Sequence, residues 1–383
     1  MNLSDFVTPE LRELRAAFQA KNLDIRFVGG CVRDSMMGKE CKDVDFATDA
    51  TPEEQEEIYF ALKLRRIPTG LQHGTWTVIL NDVPYEITTL RTEAEHDGRW
   101  AKMTWTRDWT EDLSRRDLTI NAMALTFDGK LIDPFGGYTD LVEKRVRFVG
   151  NAVERIQEDY LRILRFFRFH ARIAGTAPFD EEAVAAIKEH GNGLKNISRE
   201  RVWSEVSRIL HGPHGDFIFI CLIGMVGFAI DAPHGDLLAF VAARKNTDDP
   251  VTCLAALVRD GDEMKKLAEN WKWSADERDQ GIFVANSLFF PPKLETAKHD
   301  ICVLGHNKDW WVQTFLANGQ LDDAAELRAW VAPVFPIQGR DLLALGWKPG
   351  PQIGDTLRKL LALWAAQDFQ IDKDAVLKEL ATT

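Results

Sequence analysis

The stretch that most constrains this 383-residue chain is 27–51, FVGGCVRDSMMGKECKDVDFATDAT. An apolar alternation through Ile25 and Phe27 runs into Gly29-Gly30, then a short helical segment, then a second strand carrying Asp43-Val44-Asp45. Glycines between a strand and a helix let backbone N–H groups approach an anion, and the helix N-terminus adds its positive dipole end. Side chains alternate faces along a strand, so Asp43 and Asp45 are expected on one face, about 7 Å apart at Cα. Two carboxylates that close resist joint ionisation unless a cation neutralises them. A pair of Mg2+ ions about 3.5–4 Å apart, bridged by nucleotide phosphates, is an arrangement that uses this geometry. Arg33 puts a cation one helical turn beyond the glycines, where a phosphate would sit. A lone DxD is commonly a solvated strand end and a lone Gly-Gly a turn; the composite points to phosphate chemistry.

The rest of the composition narrows the setting. A chain of 383 residues can hold two to three domains, and 45% hydrophobic with 28% charged residues is a globular balance. The longest apolar run, 217–230, is short and broken by glycines, so no membrane span is expected. Neither a secretory signal nor a transit peptide is evident at the start, and a cytoplasmic protein is expected. Five cysteines without CxxC spacing favour free thiols in a reducing compartment over disulfides or zinc. The net charge of −12 argues against a generally adhesive nucleic-acid binder. Yet residues 144–172 hold eight basic against three acidic residues, a cationic segment where an anionic substrate should bind.

Residues up to Ala20 read as an amphipathic helix, with Leu11, Leu14 and Phe18 on one side. Thr51-Pro52-Glu53-Glu54 is a helix start, with a Thr cap, Pro in the first turn and acidic residues beside it. Runs 75–80 and 83–89 are strands joined by Asn81-Asp82, a hairpin signal. Glu86 falls within the second run and could supply a third carboxylate to a metal site, although an outward-facing strand Glu is the commoner case. Residues 91–109 are polar and irregular, with Asp97-Gly98 as a turn, and read as a mobile loop beside the site. Arg115-Arg116-Asp117 could clamp a triphosphate or form a surface charge cluster. Residues 120–127 read as a buried strand or helix segment, and the first domain closes near Leu141.

Beyond that point a period near 3.6 dominates to the end. The expected fold is an α+β domain followed by a long all-helical half. Its tryptophans, including Trp271, Trp273, Trp310 and Trp311, fall at apolar helical positions and read as core. Residues 153–173, VERIQEDYLRILRFFRFHARI, read as one helix with Glu158, Arg162 and Arg165 on a charged stripe and Asp159 beside it. Intrahelical ion pairing is the plain explanation. The alternative is base selection. Cytosine and adenine both set an amine donor beside a ring-nitrogen acceptor, which a carboxylate and a guanidinium can read together.

In order and spacing, the segments FVGGCVRD, DVDFATDATPEE, YEITTLR, DLSRRDLTINAMAL, LIDPFGGYTDL, RIQEDYLRILRFFRFHAR and ISRERVWSEVSRIL resemble the class II tRNA nucleotidyltransferases, the CCA-adding enzymes. The resemblance is strong over about 25–210 and fades afterwards, where FPIQGRD at 335–341 still resembles the family's tail. It implies a head at 1–141 similar to the DNA polymerase beta superfamily, a helical neck at 142–212, and a helical body and tail at 213–383. The molecule would be curved, with tRNA held by its acceptor end and elbow.

The same resemblance implies roles. Asp43 and Asp45 would hold catalytic Mg2+, with Glu86 a possible third carboxylate. Gly29, Gly30 and Arg33 would contact the triphosphate, and Arg116, Asp117 and Asn121 the phosphates and ribose. Glu158, Asp159 and Arg162 would pair with incoming CTP or ATP, and Arg165 would reach the phosphates. One departure stands out. Relatives commonly carry His after Asp-Gly-Arg in the 91–100 loop, where this chain has Trp100. That loop is associated in the family with the switch from C to A addition, and its length here favours full CCA addition. A poly(A) polymerase of the same family, a CC-only or A-only enzyme, and a tRNA binder without catalysis are the competing readings.

Overall fold

The Thr8 hydroxyl accepts the Leu11 amide at 3.3 Å and opens helix α1 (Pro9–Ala20), whose Leu11, Leu14 and Phe18 are buried as the spacing predicts. The computed structural model describes residues 7–41, 43–97 and 100–381. After α1 come strand β1 (Ile25–Val28), helix α2 (Gly30–Met36), strand β2 (Asp45–Thr48) and helix α3 (Pro52–Ala61). The expected start of α3 is a full capping box: Thr51 Oγ1 accepts from Glu54 N at 3.3 Å, and Glu54 Oε2 accepts from Thr51 N at 2.9 Å.

Strands β3 (Arg65–Gly70), β4 (Thr75–Leu80) and β5 (Val83–Thr89) follow. The β4–β5 hairpin turns at Asn81 and Asp82, both with positive φ (48° and 62°), the twist that a two-residue turn requires. Strands β6 (Arg91–Asp97) and β7 (Trp100–Trp105) come next, then helix α4 (Trp109–Ser114), a 3-10 turn at Thr119–Asn121, short strands β8 (Ala124–Leu125) and β9 (Leu131–Ile132), and helix α5 (Gly137–Val142). Among the described residues a seven-stranded sheet runs β3-β4-β5-β2-β1-β8-β9, antiparallel throughout except for the parallel β2–β5 pair. Under it, Phe27 and Phe46 pack at 4.7 Å between ring centres, with Phe127 against both.

Up to residue 173 the chain departs from expectation at three places. Asp43 does not sit on the second strand; it occupies a bend, and β2 begins only at Asp45. Residues 91–105 are not an irregular loop but an antiparallel ribbon, β6 with β7, in register from Arg91↔Trp105 to Asp97↔Trp100 with a shift between. Strand β6 (RTEAEHD) is mostly polar and gives no strand signal, while β7 (WAKMTW) alternates Ala101, Met103 and Trp105 with Lys102 and Thr104 over too few residues to stand out beside it. Gly98, in the expected turn, and Arg99 lie outside the described residues.

The third departure is the helix 153–173. It is two helices, α6 (Ala152–Glu158) and α7 (Leu161–Ile173), broken at Asp159, whose backbone is extended (φ −151°, ψ 104°). Asp159 Oδ1 accepts the Leu161 amide at 3.0 Å, the local bond by which Asp competes with a continuing helix. The Tyr160 ring also packs where Gly193 has no side chain; a Cβ there would lie 2.0 Å from it.

Helix α8 (Glu181–His190) and a 3-10 segment (Gly191–Asn196) complete the stretch before helix α9 (Arg199–His211) and helix α10 (Gly215–Ile230). The chain forms two compact units: residues 1–198 with 221–230, and residues 199–220 with 231–383. The second unit is helical among its described residues. Its core includes Trp271 and Trp311, as expected, whereas Trp273 and Trp310 are only partly buried. Trp203 stacks near Trp271 and Trp273 and donates its Nε1 to Glu277 Oε1 at 2.9 Å. No described helix is long and apolar enough to cross a membrane.

Candidate active site

Asp45 is the first residue of β2 and lies directly opposite Glu86 in the parallel ladder with β5. Residues in register on neighbouring strands point to the same face. The Asp45 carboxyl is raised above its ordinary pKa by burial first, then by Glu86 and Asp43, with Arg116 opposing. The side chain is exposed to water, yet enough protein surrounds it for desolvation to lead. Asp43, Asp45 and Glu86 therefore form one repelling group. All-oxygen donors with excess negative charge fit a hard divalent cation. Among the described residues no three such groups are already closed to ligating distance, so the arrangement is open.

Gly29 caps α2 at φ 69° and ψ −125°, a conformation that suits glycine. A Cβ on it would come within 3.0 Å of Arg116 Nη1, so the Arg116 guanidinium passes over the glycine turn. Arg116 Nη2 donates to Asp112 Oδ2 at 3.4 Å, and Nη1 to Asn121 O at 3.5 Å. Its buried Nε has no hydrogen-bond partner, a donor suited to an anion's oxygen. Buried Asp112 accepts from both Arg115 and Arg116. Burial raises its pKa, but the two guanidiniums outweigh that and hold the carboxyl below the ordinary range.

Arg33 is buried, with its guanidinium 4.8 Å over the Phe169 ring. It donates Nη1 to Asn121 Oδ1 and Nε to Asp34 Oδ1 at 3.0 Å. The other Asp34 oxygen accepts from Arg172 Nη2 at 2.8 Å. Gly30 begins α2, where an added Cβ would lie 3.6 Å from Arg33 Nη2. Asp117, also buried, accepts from Arg165 Nε at 2.7 Å, Asn121 Nδ2 at 3.1 Å and the Leu118 amide at 2.9 Å. Burial raises its pKa, and Arg165 with these hydrogen bonds overcomes it to leave the carboxyl low. Glu158 pairs with Arg155 and with Arg162, and Arg162 also donates to the carbonyls of Arg155 and Arg115, at 3.2 and 3.1 Å.

The structure thus joins Gly29, Gly30, Arg33, Arg116, Asp117, Asn121 and Arg165 through direct contacts, and Arg162 with Glu158 through the Arg115 carbonyl. Asp159 stands at the break between α6 and α7, off the helical stripe on which the sequence placed its neighbours. Sequence reasoning gave no role to Asp34, Asp112 or Phe169. The first two belonged to the RD and DLSRRD motifs, but only contact reveals that each carboxylate holds two arginines.

Comparison with known proteins gives the chain's family. Residues 25–147 match the family described as "Poly A polymerase head domain", and residues 178–223 match "Probable RNA and SrmB- binding site of polymerase A". The chain is 38% identical to the mitochondrial CCA tRNA nucleotidyltransferase 1 of Mus musculus, over 98% of this chain and 91% of that protein. It is 37% identical to the Homo sapiens protein of the same name, with the same coverage. Its fold superposes on the Bacillus stearothermophilus CCA-adding enzyme, solved in complex with CTP, at a TM-score of 0.77 and 25% identity, covering 97% of this chain and 98% of that one. By full-length similarity and by shared fold, this chain belongs to the CCA tRNA nucleotidyltransferases.

Proposed function

We propose that the enzyme adds C, C and A to the 3′ end of tRNA from CTP and ATP, with base choice made by protein side chains. The observation that carries this reading is the bonding of α6 and α7 to the phosphate-handling segment. Arg162 reaches the Arg115 carbonyl and Arg165 the Asp117 carboxylate, so base-reading and phosphate-binding candidates share one rigid network. Nucleotidyltransferases of this family normally use a divalent metal. We assign Mg2+ to Asp43 and Asp45, with Glu86 as third carboxylate. Bound there, it would lower the pKa of the tRNA 3′-hydroxyl and neutralise departing pyrophosphate.

The chain's own residues then divide the work. Arg33 and Arg116 hold the triphosphate for in-line attack of the 3′-hydroxyl on the α-phosphate. Gly29 lets Arg116 and the phosphates approach the backbone; α2, at seven residues, adds little by its dipole. Asp117 and Asn121 orient Arg165 and Arg33 and face the ribose. Asp159 accepts from the exocyclic amine of cytosine or adenine while Arg162, its plane fixed by Glu158 and two carbonyls, donates to the ring nitrogen. Head 1–141, neck 142–212 and body with tail 213–383 are the functional division this scheme uses. The five free cysteines suit a reducing compartment, which cytoplasm and mitochondrial matrix both provide.

The test is product length and composition on a tRNA lacking CCA, with Mg2+, CTP and ATP. Addition of three nucleotides in order supports the proposal. A long adenosine ladder with little CTP use would instead indicate a poly(A) polymerase, the reading favoured by the name of the matched head family. Arrest after CC, or addition of A only to tRNA ending in CC, would restrict the enzyme to one step; Trp100 makes the A step the one to watch. Asp159→Ala should relax base choice while tRNA binding persists.

A further inference from the structure

Three guanidiniums gather around the buried ring of Phe169 on α7. The central guanidinium carbon of Arg168 lies 4.6 Å from the ring centre, that of Arg33 4.8 Å and that of Arg165 5.6 Å. All three fall within the about 6 Å over which the negative face of an aromatic ring attracts a cation. Arg165 and Arg168 share α7 with the ring, whereas Arg33 comes from α2. Like charges held this close repel, and the ring they share offsets part of that cost. A further carboxylate could hold them only by taking N–H donors and by setting negative charge against an incoming phosphate. A ring does neither.

Donors are left over where this cluster meets the glycine turn. Arg33 gives Nε to Asp34 and Nη1 to Asn121, and its Nη2 makes no hydrogen bond among the described residues. An added Cβ on Gly30 would stand 3.6 Å from that nitrogen, so Nη2 lies beside the start of α2. Burial, with Arg172 nearby, brings Arg33 below its ordinary pKa in spite of Asp34. The cluster is short of negative charge, and a polyphosphate supplies it.

We propose that Phe169 is a positioning residue, whose ring sets the mutual placement of Arg33, Arg165 and Arg168 as a receptor for the triphosphate of the incoming nucleotide. The ring itself touches no substrate and acts through the three arginines. It should therefore matter to the binding of any triphosphate and be indifferent to the base. Phe169→Leu keeps the site apolar but removes the attraction, so the guanidiniums spread and a triphosphate meets fewer donors at once.

That the receptor serves CTP and ATP rests on the function proposed above; the receptor itself does not, so inorganic triphosphate is the probe. Its binding to the full-length protein is measured by titration calorimetry at fixed Mg2+ and ionic strength. Wild type is compared with Phe169→Leu and with proteins carrying one, two or three ring fluorines on the phenylalanine at position 169. Fluorine withdraws charge from the ring face with little change of shape. Kd should rise stepwise with fluorine number, and by about three- to tenfold in Phe169→Leu. The fluorinated series keeps the test decisive if Phe169→Leu folds poorly. The same fluorines at Phe166, whose ring packs on those of Phe148 and Phe179, should leave Kd unchanged. A flat series at Phe169, equal rises at both positions, or no binding of triphosphate by the wild-type protein each overturns the role. In nucleotide addition, KM for CTP and ATP should rise together in the Phe169 series; a rise confined to one nucleotide puts the ring in base selection and overturns it. Triphosphate binding that follows the fluorines in a protein extending no tRNA that lacks CCA counts against the substrate reading alone and leaves the receptor standing.

Discussion

Arg165 on α7 donates its Nε to Oδ2 of Asp117 at 2.7 Å, tying that helix to the segment that follows α4. Removing the guanidinium leaves a buried carboxylate with only the Asn121 and Leu118 donors. Arg165→Ala should lower unfolding free energy by about 1–2 kcal/mol at pH 7, because hydrogen bonds to charged groups have roughly that worth and Arg165 is partly exposed. The pH dependence has a definite sign. Asp117 titrates low in the folded state, so its contribution is complete above the unfolded carboxyl pKa near ~4 and fades as pH falls through its lower folded pKa. In the variant, burial acts without Arg165, so the folded pKa is no longer held as low and the stability gap to the wild-type protein should narrow as pH falls. Urea titrations at pH 7 and pH 3 check both statements; identical midpoints at pH 7, or a gap that widens at pH 3, would refute them.

Asp45 has the opposite sign. Its folded pKa is raised, so the folded state holds a proton that the unfolded state has already released, and stability falls as pH rises through that window. Metal-free enzyme at pH 7.5 therefore carries a strained carboxylate group. Asp45→Asn should raise Tm in chelator by about 1–3 °C while abolishing nucleotide addition, and Mg2+ should raise the Tm of the wild-type protein more than that of the variant. A variant that melts below wild type in chelator would contradict this account.

Glu86 separates two simple possibilities. Opposite Asp45 in the ladder, it either shares the cation or merely faces water. Glu86→Gln keeps the shape and removes the charge. We expect kcat to drop at least about tenfold with KM for tRNA little changed, since metal-ligating oxygens act on the chemical step. Wild-type kcat in this variant would assign Glu86 to solvent.

Gly29→Ala tests the glycine turn. The backbone at φ 69° and ψ −125° disfavours any Cβ, and this one would push on Arg116. Strain of about 1–3 kcal/mol is expected, together with higher KM for CTP and ATP alike, since the turn serves the triphosphate and not the base. A change confined to one nucleotide would place Gly29 in base selection instead.

What could be read in advance was what neighbours along the chain decide. Thr51 and Glu54 close a capping box because a cap needs only four residues, and Asn81-Asp82 turns a hairpin because those side chains tolerate positive φ. The α1 face and the Trp271 core followed from period and hydrophobicity. The ribbon at 91–105 was missed because β6 is mostly polar and the alternation of Ala101, Met103 and Trp105 in β7 is short. The helix break was missed because Asp159 reads as an ordinary member of a charged stripe until its carboxylate is seen to take the Leu161 amide.

The sequence by itself determined the class of chemistry and its inventory: glycines before a helix, a DxD, an RRD and a basic helical stretch, all in one order. Tertiary structure alone decided which charges meet. Asp34 holds Arg33 and Arg172 across 138 positions of sequence, Arg165 meets Asp117 across 48, and Glu86 faces Asp45 through a parallel ladder. Propensity and capping are short-range, whereas an ion pair or a sheet register is chosen by the whole packed core, so no local pattern encodes it.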